Sequence, residues 1–210
     1  MRSRVHGPRD RVRRQVLDAT RELLETGGYS ACTVDALVSV SGVSKTTIYR
    51  WWDNRAEVVL DMLEDAFGLP DAPDDRGSAL NRVEQYLAAE MRFHDGPAGP
   101  VLRGLLADAQ HRPSLAATIE SRFLGPRRAA LVDLLRLGIA EGALRSETNL
   151  SLTASLLLAP LLQSLLTGEP PHGPDLPSQL VEAVVQGAGA RDVPQRGNRG
   201  RGRRTTKDGA

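Results

Sequence analysis

The sequence predicts an all-α protein whose N-terminal third is built on a helix-turn-helix. Three observations carry this. Apolar residues make up 40% of the 210-residue chain but aromatics only 4%, so the core must come from Leu, Val and Ala, and the Ala, Leu, Arg and Glu bias favours helix. Apolar residues recur at three- and four-residue spacing in segment after segment, the period of an amphipathic helix. The stretch from Thr33 to Arg55 reads as two short helices joined by a tight turn.

In that stretch Val34, Leu37 and Val38 give the first helix one apolar face. Gly42 falls where the turn needs a positive φ, which glycine adopts without a Cβ penalty. Val43 returns to the core, and Ser44 caps a second helix carrying Lys45, Thr46, Thr47, Tyr49, Arg50 and Trp51. That helix is dense in groups that reach DNA.

In chain order, Met1 to Pro8 is expected as a mobile arm, with Arg2, Arg4, Arg9, Arg11, Arg13 and Arg14 either following a phosphate backbone or simply solvated. A first helix is expected from Arg11 to Thr26 on Val12, Val16, Ala19 and Leu23, widened by Leu17 and Leu24 and ended by Gly27 and Gly28. Cys32 is the one cysteine, so no internal disulfide forms, and it reads as a small buried residue. Asn54 opens a fourth helix with Glu57 three residues on, a capping-box spacing; Ala56, Val59, Leu60, Leu63, Ala66 and Phe67 are its inner face. Arg55 then sits at the first helical position, where a cation opposes the helix dipole unless an anion docks there.

Residues 68–77 hold prolines and aspartates and make the best domain boundary. A fifth helix is expected from Ser78 to His94, with Leu80, Val83, Leu87, Met91 and either Glu90 or His94 on one face. Val101, Leu102, Leu105, Leu106 and Ala109 mark the next. A longer helix from Pro113 to about Ala140 contains Pro126, which should kink or split it. Asn149 can cap the helix that follows, and Leu150 to Leu166 is apolar on almost every side. That run is shorter than the ~20 residues a bilayer needs and contains Pro160 and Gln163. It must instead be covered all round, and a second copy of the chain is the economical cover. Leu176 to Val185 is the last amphipathic helix. Paired across two chains, the last two helices would form a four-helix bundle, with Leu158, Leu162, Leu165, Leu180 and Val184 at the interface. From Arg191 onward no apolar period survives and the tail is expected to be disordered.

The net charge is only +1, but positive charge gathers at the two ends of the chain. The arginine-rich start lacks the apolar run of a signal peptide, so a cytoplasmic protein is expected. His6, His94, His111 and His172 are scattered and show no metal-ligand spacing. No phosphate-binding loop, dinucleotide fingerprint or nucleophile elbow occurs. No catalytic residue, cofactor or metal is therefore expected.

From Arg11 to Phe67 the chain resembles the TetR family of bacterial repressors. The family's signature places are held here by Thr33, Leu37 and Val38, Ser41 and Gly42, Val43 and Ser44, Tyr49, Trp52 and Arg55, and Tyr29 resembles the aromatic that follows the family's first helix. The chain departs at Val38 and Ser41, which stand where alanines are common, and at Thr46, which stands for a frequent glycine. The resemblance implies base contacts from Lys45, Thr46 and Tyr49 and phosphate contacts from Thr33, Thr47, Arg50, Trp51 and Arg55; Trp52 itself reads as a core aromatic of a small domain. It implies a homodimer on a palindromic DNA operator, with half-sites about one helical turn, ~34–36 Å, apart or a multiple of it.

The resemblance also implies a C-terminal domain that encloses a pocket for a small, mostly apolar molecule. Met91, His94, Leu105, Gln110, Phe123, Leu135, Leu157 and Leu161 are the candidate lining. Ligand entry would move the fourth helix and so change the separation of the recognition helices. The expected organisation is an arm and DNA-binding domain at 1–67, a linker at 68–77, a regulatory and dimerisation domain at 78–190, and a basic tail at 191–210. Two other readings stay open: a dimeric DNA-binding protein that takes no ligand, and an all-helical scaffold or enzyme with a vestigial helix-turn-helix.

Overall fold

The helix-favouring composition is realised throughout the computed structural model, which describes residues 8–68, 77–168 and 173–188. The expected arm, most of the linker and the basic tail lie outside the described residues. Every regular element within them is helical: α1 (Pro8–Ala31), α2 (Val34–Ser41), α3 (Lys45–Tyr49), α4 (Arg55–Phe67), α5 (Ala79–Asp95), α6 (Ala98–Ala109), α7 (Pro113–Ile119), α8 (Gly125–Ala140), α9 (Leu150–Thr167) and α10 (Leu176–Ala188).

α1 starts earlier than expected, at Pro8, a residue suited to a helix's first turn because it lacks the N–H that would go unpaired there. Arg11, Arg13 and Arg14 stand on this helix, as the expected start at Arg11 implied. The break comes at Gly28, whose φ of 66° and ψ of −166° leave the helical region before a last turn to Ala31. α7 and α8 are joined without a break in helical backbone, so the helix is not split. Pro126 removes an N–H and crowds the carbonyl four residues back, and the chain accommodates it with a π-helical turn over Glu120–Leu124.

The buried residues form two clusters. The first joins Val16, Leu17, Leu37, Ile48, Trp52 and Leu60 of the helix-turn-helix region to Leu102, Leu105, Ile119 and Phe123 of α6, α7 and the π-turn. The second joins Val83, Leu87, Leu131, Leu135, Leu157 and Val181 of α5, α8, α9 and α10. Thus α6 and α7 follow the linker in the chain but share a core with the helices before it.

α9 has the length and mean hydropathy, 1.6, of a membrane span, yet it packs on α5, α6 and α8. Its Ala154, Leu157, Leu161 and Leu165 are buried, while Leu152, Leu156 and Leu166 are exposed. Of the expected interface, Leu165 is taken up by the chain's own first core, whereas Leu158, Leu162, Leu180 and Val184 pack on the two cores and keep part of their surface open. A helix apolar on all sides carries no phase in its sequence, so the open stripe had to be read from the packing.

Candidate nucleic-acid interface

The helix-turn-helix is fixed by caps. The Thr33 hydroxyl accepts the Ala36 N–H at 3.1 Å and starts α2. Gly42, at φ 68° and ψ 5°, ends it in the left-handed conformation, its N–H donating to the Val38 carbonyl. Ser41 explains its own departure from alanine: buried, it donates to the Leu37 carbonyl at 2.5 Å and accepts from the Val43 N–H at 3.1 Å, so one hydroxyl ties both sides of the turn. Gln15 of α1 donates to the Ser41 carbonyl at 2.7 Å. Gln15 gave no local signal in the sequence. Ser44 then accepts the Thr47 N–H and opens α3.

Ile48 and, just beyond α3, Trp52 turn inward, and the Trp52 indole donates to Asp61 at 2.9 Å. Trp52 is a core aromatic, as expected. Lys45, Thr46, Tyr49 and Arg50 are exposed together, with Tyr49 at 47% and the neighbouring Trp51 at 39%. Thr33 is also exposed and Thr47 half-buried. The Lys45 ammonium lies 3.1 Å from Asp35, whose hydrogen bond and charge raise its pKa above the ordinary value. This exposed pair is held loosely in water, so the ammonium is free to exchange Asp35 for another partner.

α4 ties the interface to the rest of the chain. Asn54 accepts the Ala56 and Glu57 N–H groups at 3.0 and 3.2 Å, and Glu57 accepts the N–H of Asp53, one residue earlier than a capping box would have it. Arg55, expected on phosphate, is occupied within the chain. Its guanidinium sits 4.7 Å over the Tyr29 ring and 3.6 Å from the Asp108 carboxylate. Tyr29 donates to the same carboxylate at 2.6 Å. That hydrogen bond, followed by the Arg112 and Arg55 charges, holds the Asp108 pKa below its ordinary value, while burial and then Asp108 push the Tyr29 phenol up. A Cβ on Gly104 would stand 2.7 Å from the Tyr29 ring, so α6 reaches this node only with glycine there.

Asp61 is a second node. It takes the Trp52 indole, Arg13 of α1 at 3.3 Å and Arg122 of the π-turn, which also grips Glu64. Arg13 is thereby turned away from the expected phosphate role. Cys32 is buried, and desolvation pushes its thiol up to about 11.

A cavity of about 210 Å³ opens between α5, the start of α8 and α9, lined by Glu90, His94, Leu124, Arg127, Arg128, Ser155, Leu158, Ala159 and Leu162. Of the expected lining, His94 is present. Leu105, Phe123, Leu135, Leu157 and Leu161 are instead core residues at 2% exposure or less. Gln110 is exposed, donating to the Leu106 carbonyl, and Met91 is half-buried but not part of this wall. The lining of this cavity stands one residue along, at Glu90, Leu124, Leu158 and Leu162. Arg127 links the wall to α4: Nη1 donates to the Phe123 carbonyl at 3.3 Å, and Nη2 donates to the carbonyl of Gly68, the residue that caps α4. Among the described residues no group of three or more His, Cys, Asp or Glu could hold a metal.

Residues 16–62 match the family described as bacterial regulatory proteins, tetR family, and residues 73–184 match the tetracyclin repressor-like C-terminal domain. The chain is 34% identical over 172 residues to the HTH-type transcriptional regulator YdeS of Bacillus subtilis (strain 168), an alignment covering 80% of this chain and 86% of the relative. Among solved structures, the TetR family transcription regulator SCO0332 superposes with a TM-score of 0.69 at 29% identity, over 84% of this chain and 98% of that one. The transcriptional regulator FadR from Bacillus subtilis, solved in complex with stearoyl-CoA, shares the fold at a TM-score of 0.65 and 18% identity, over 83% and 98% of the two chains.

Proposed function

This chain belongs to the TetR family of bacterial regulatory proteins, helix-turn-helix transcriptional regulators and not enzymes, and we propose that it is a cytoplasmic, dimeric repressor that leaves a palindromic operator when a small, mainly apolar molecule enters the cavity. The observation that carries the DNA-binding reading is the outward set on and beside α3. Lys45, Thr46 and Tyr49 are exposed on one short helix, with Arg50 exposed at its C-terminal cap, and its inner residue, Ile48, is locked in the core. Lys45, Thr46 and Tyr49 read base edges in the major groove, the lysine amine suiting guanine O6 and N7. Thr33, Thr47, Arg50 and Trp51 hold phosphates. Arg55 remains a phosphate candidate, reached when its bond to Asp108 opens.

Dimerisation uses the stripe of Leu152, Leu156 and Leu166 on α9, exposed leucines that a monomer would leave in water. Residues 1–67 form the DNA-binding domain and 78–190 the regulatory domain, although their cores interlock through α6 and α7. The relay runs through α4. A ligand that displaces Arg127 loosens its hold on the Gly68 carbonyl, and a shift of the π-turn moves Arg122 against Asp61 and Glu64. Either motion re-aims α4, and with it the spacing of the two recognition helices. Support for a ligand in this fold comes from the FadR complex with stearoyl-CoA.

Anisotropy titrations on labelled duplex DNA at several salt concentrations test the DNA reading. Arg50→Ala should weaken binding on all sequences and lower the salt slope by about 1. Lys45→Ala should instead relax preference at one base position, at about 1–3 kcal/mol. An intact chain that binds no duplex at low salt would leave the helix-turn-helix vestigial.

A further inference from the structure

The cavity wall contains buried polar atoms that make no hydrogen bond within the fold. Glu90 is 1% exposed and Arg127 5%, and they form a buried salt bridge, Oε1 of the one 3.4 Å from Nε of the other, in which neither atom makes a hydrogen bond. The other nitrogens of Arg127 are engaged by the Phe123 and Gly68 carbonyls, and its plane lies 3.6 Å from the Phe123 ring centre. His94 bonds the Leu161 carbonyl and leaves Nδ1 buried without a partner. A buried ion pair is offset in full only when further hydrogen bonds satisfy it, and a buried polar atom with no partner is costly to keep. A salt bridge and an imidazole nitrogen that lack those bonds, in one wall of one cavity, mark a site that a bound molecule completes.

The inventory of those atoms selects the molecule. Glu90 Oε1 is an acceptor, Arg127 Nε is a donor, and Nδ1 of a neutral imidazole bonded through its other nitrogen is an acceptor. A carboxylate head would meet Arg127 but also the Glu90 carboxylate beside it. An ammonium head would meet Glu90 but also the guanidinium. A hydroxyl both donates and accepts and brings no charge that must be buried. The remaining wall, with Leu124, Leu158 and Leu162, is apolar. The volume of about 210 Å³ lies below the ~300–1,000 Å³ typical of drug-sized ligand sites, so the molecule is small.

We propose that the cavity binds a small, neutral, mainly apolar molecule bearing a hydroxyl group, whose O–H donates to Glu90 and whose oxygen accepts from Arg127 Nε. This rests on the reading of the cavity as the effector site. Binding draws on the same arginine that holds the end of α4, so the polar head is also the trigger.

Isothermal titration of the full chain with four matched probes tests it: 4-butylphenol, butylbenzene, 4-butylbenzoate and 4-butylbenzylamine. The phenol should bind about tenfold or more tighter than each of the others, the size of one charge-assisted hydrogen bond. Glu90→Gln removes the charge that repels the benzoate, so the phenol-to-benzoate ratio should fall about tenfold; the four-probe comparison on the unaltered chain stands even if that variant does not fold. Butylbenzene, benzoate or benzylamine binding as tightly as the phenol would overturn the head-group assignment and leave an effector cavity standing. A ratio unchanged in a folded Glu90→Gln protein would likewise overturn the part given to Glu90. Binding of none of the four would overturn both the assignment and the effector reading beneath it.

Discussion

His94 shows how one buried side chain sets a pH limit. Desolvation, with the Arg127 charge second, lowers its pKa to about 4 from an ordinary 6.5. As pH falls from 6.5 toward 4 the unfolded chain takes up a proton that the folded chain refuses, so stability is lost across that window, by roughly 3 kcal/mol in total. Glu90, whose carboxyl is raised by burial, works in the opposite sense at the acid end. Urea midpoints measured at intervals from pH 7 to 4 should therefore fall for the unaltered protein and fall less for His94→Gln. Equal slopes for the two proteins would show that His94 is solvated. The sequence offered His94 as an alternative to Glu90 on one helix face; the fold uses both, and the unpaired atoms that make them interesting follow from packing that no local spacing encodes.

At the scale of the element, the helix-turn-helix was legible because its signals are local. Thr33, Gly42, Ser44 and Asn54 act within three or four residues of themselves, and each caps or turns the chain where expected. Asp61 was not legible, because its partners Arg13 and Arg122 lie 48 and 61 residues away in the chain. The phases of α8 and α9 were not legible either, since helices rich in leucine all round look alike from every face. This is why the expected cavity residues Phe123, Leu157 and Leu161 proved to be core and their neighbours the wall. Asp61 makes α4 the junction of three elements. Asp61→Ala leaves the Trp52 indole N–H without its partner and takes one carboxylate from each of two arginines, Arg122 keeping Glu64 and Arg13 keeping Asp65, and should lower unfolding free energy by about 1–3 kcal/mol. Tryptophan emission should change in the folded state as Trp52 loses that bond, whereas Trp51 makes none with Asp61. An Asp61→Ala protein of unchanged stability and emission would remove α4 from its role as junction.

At the scale of the whole molecule, α9 presents a leucine stripe that the described residues do not cover. Leu156 is 59% exposed on an otherwise apolar helix, and a charge there should leave the monomer's fold intact while blocking pairing. Leu156→Arg is expected to sediment as a monomer with an unchanged helical circular dichroism spectrum, and to bind an operator far more weakly than the dimer, since each subunit then reads only a half-site. A Leu156→Arg protein that still sediments as a dimer would move the interface elsewhere. In the proposed dimer, two copies of α3 held at one fixed separation read DNA by sequence. Selection of bound sequences from a pool of random duplexes by the purified full chain tests this most directly. A palindrome should emerge, its half-sites centred one helical turn, about 34–36 Å, or a multiple of that apart. A bound pool with no enriched sequence, or single half-sites at no fixed spacing, would contradict it.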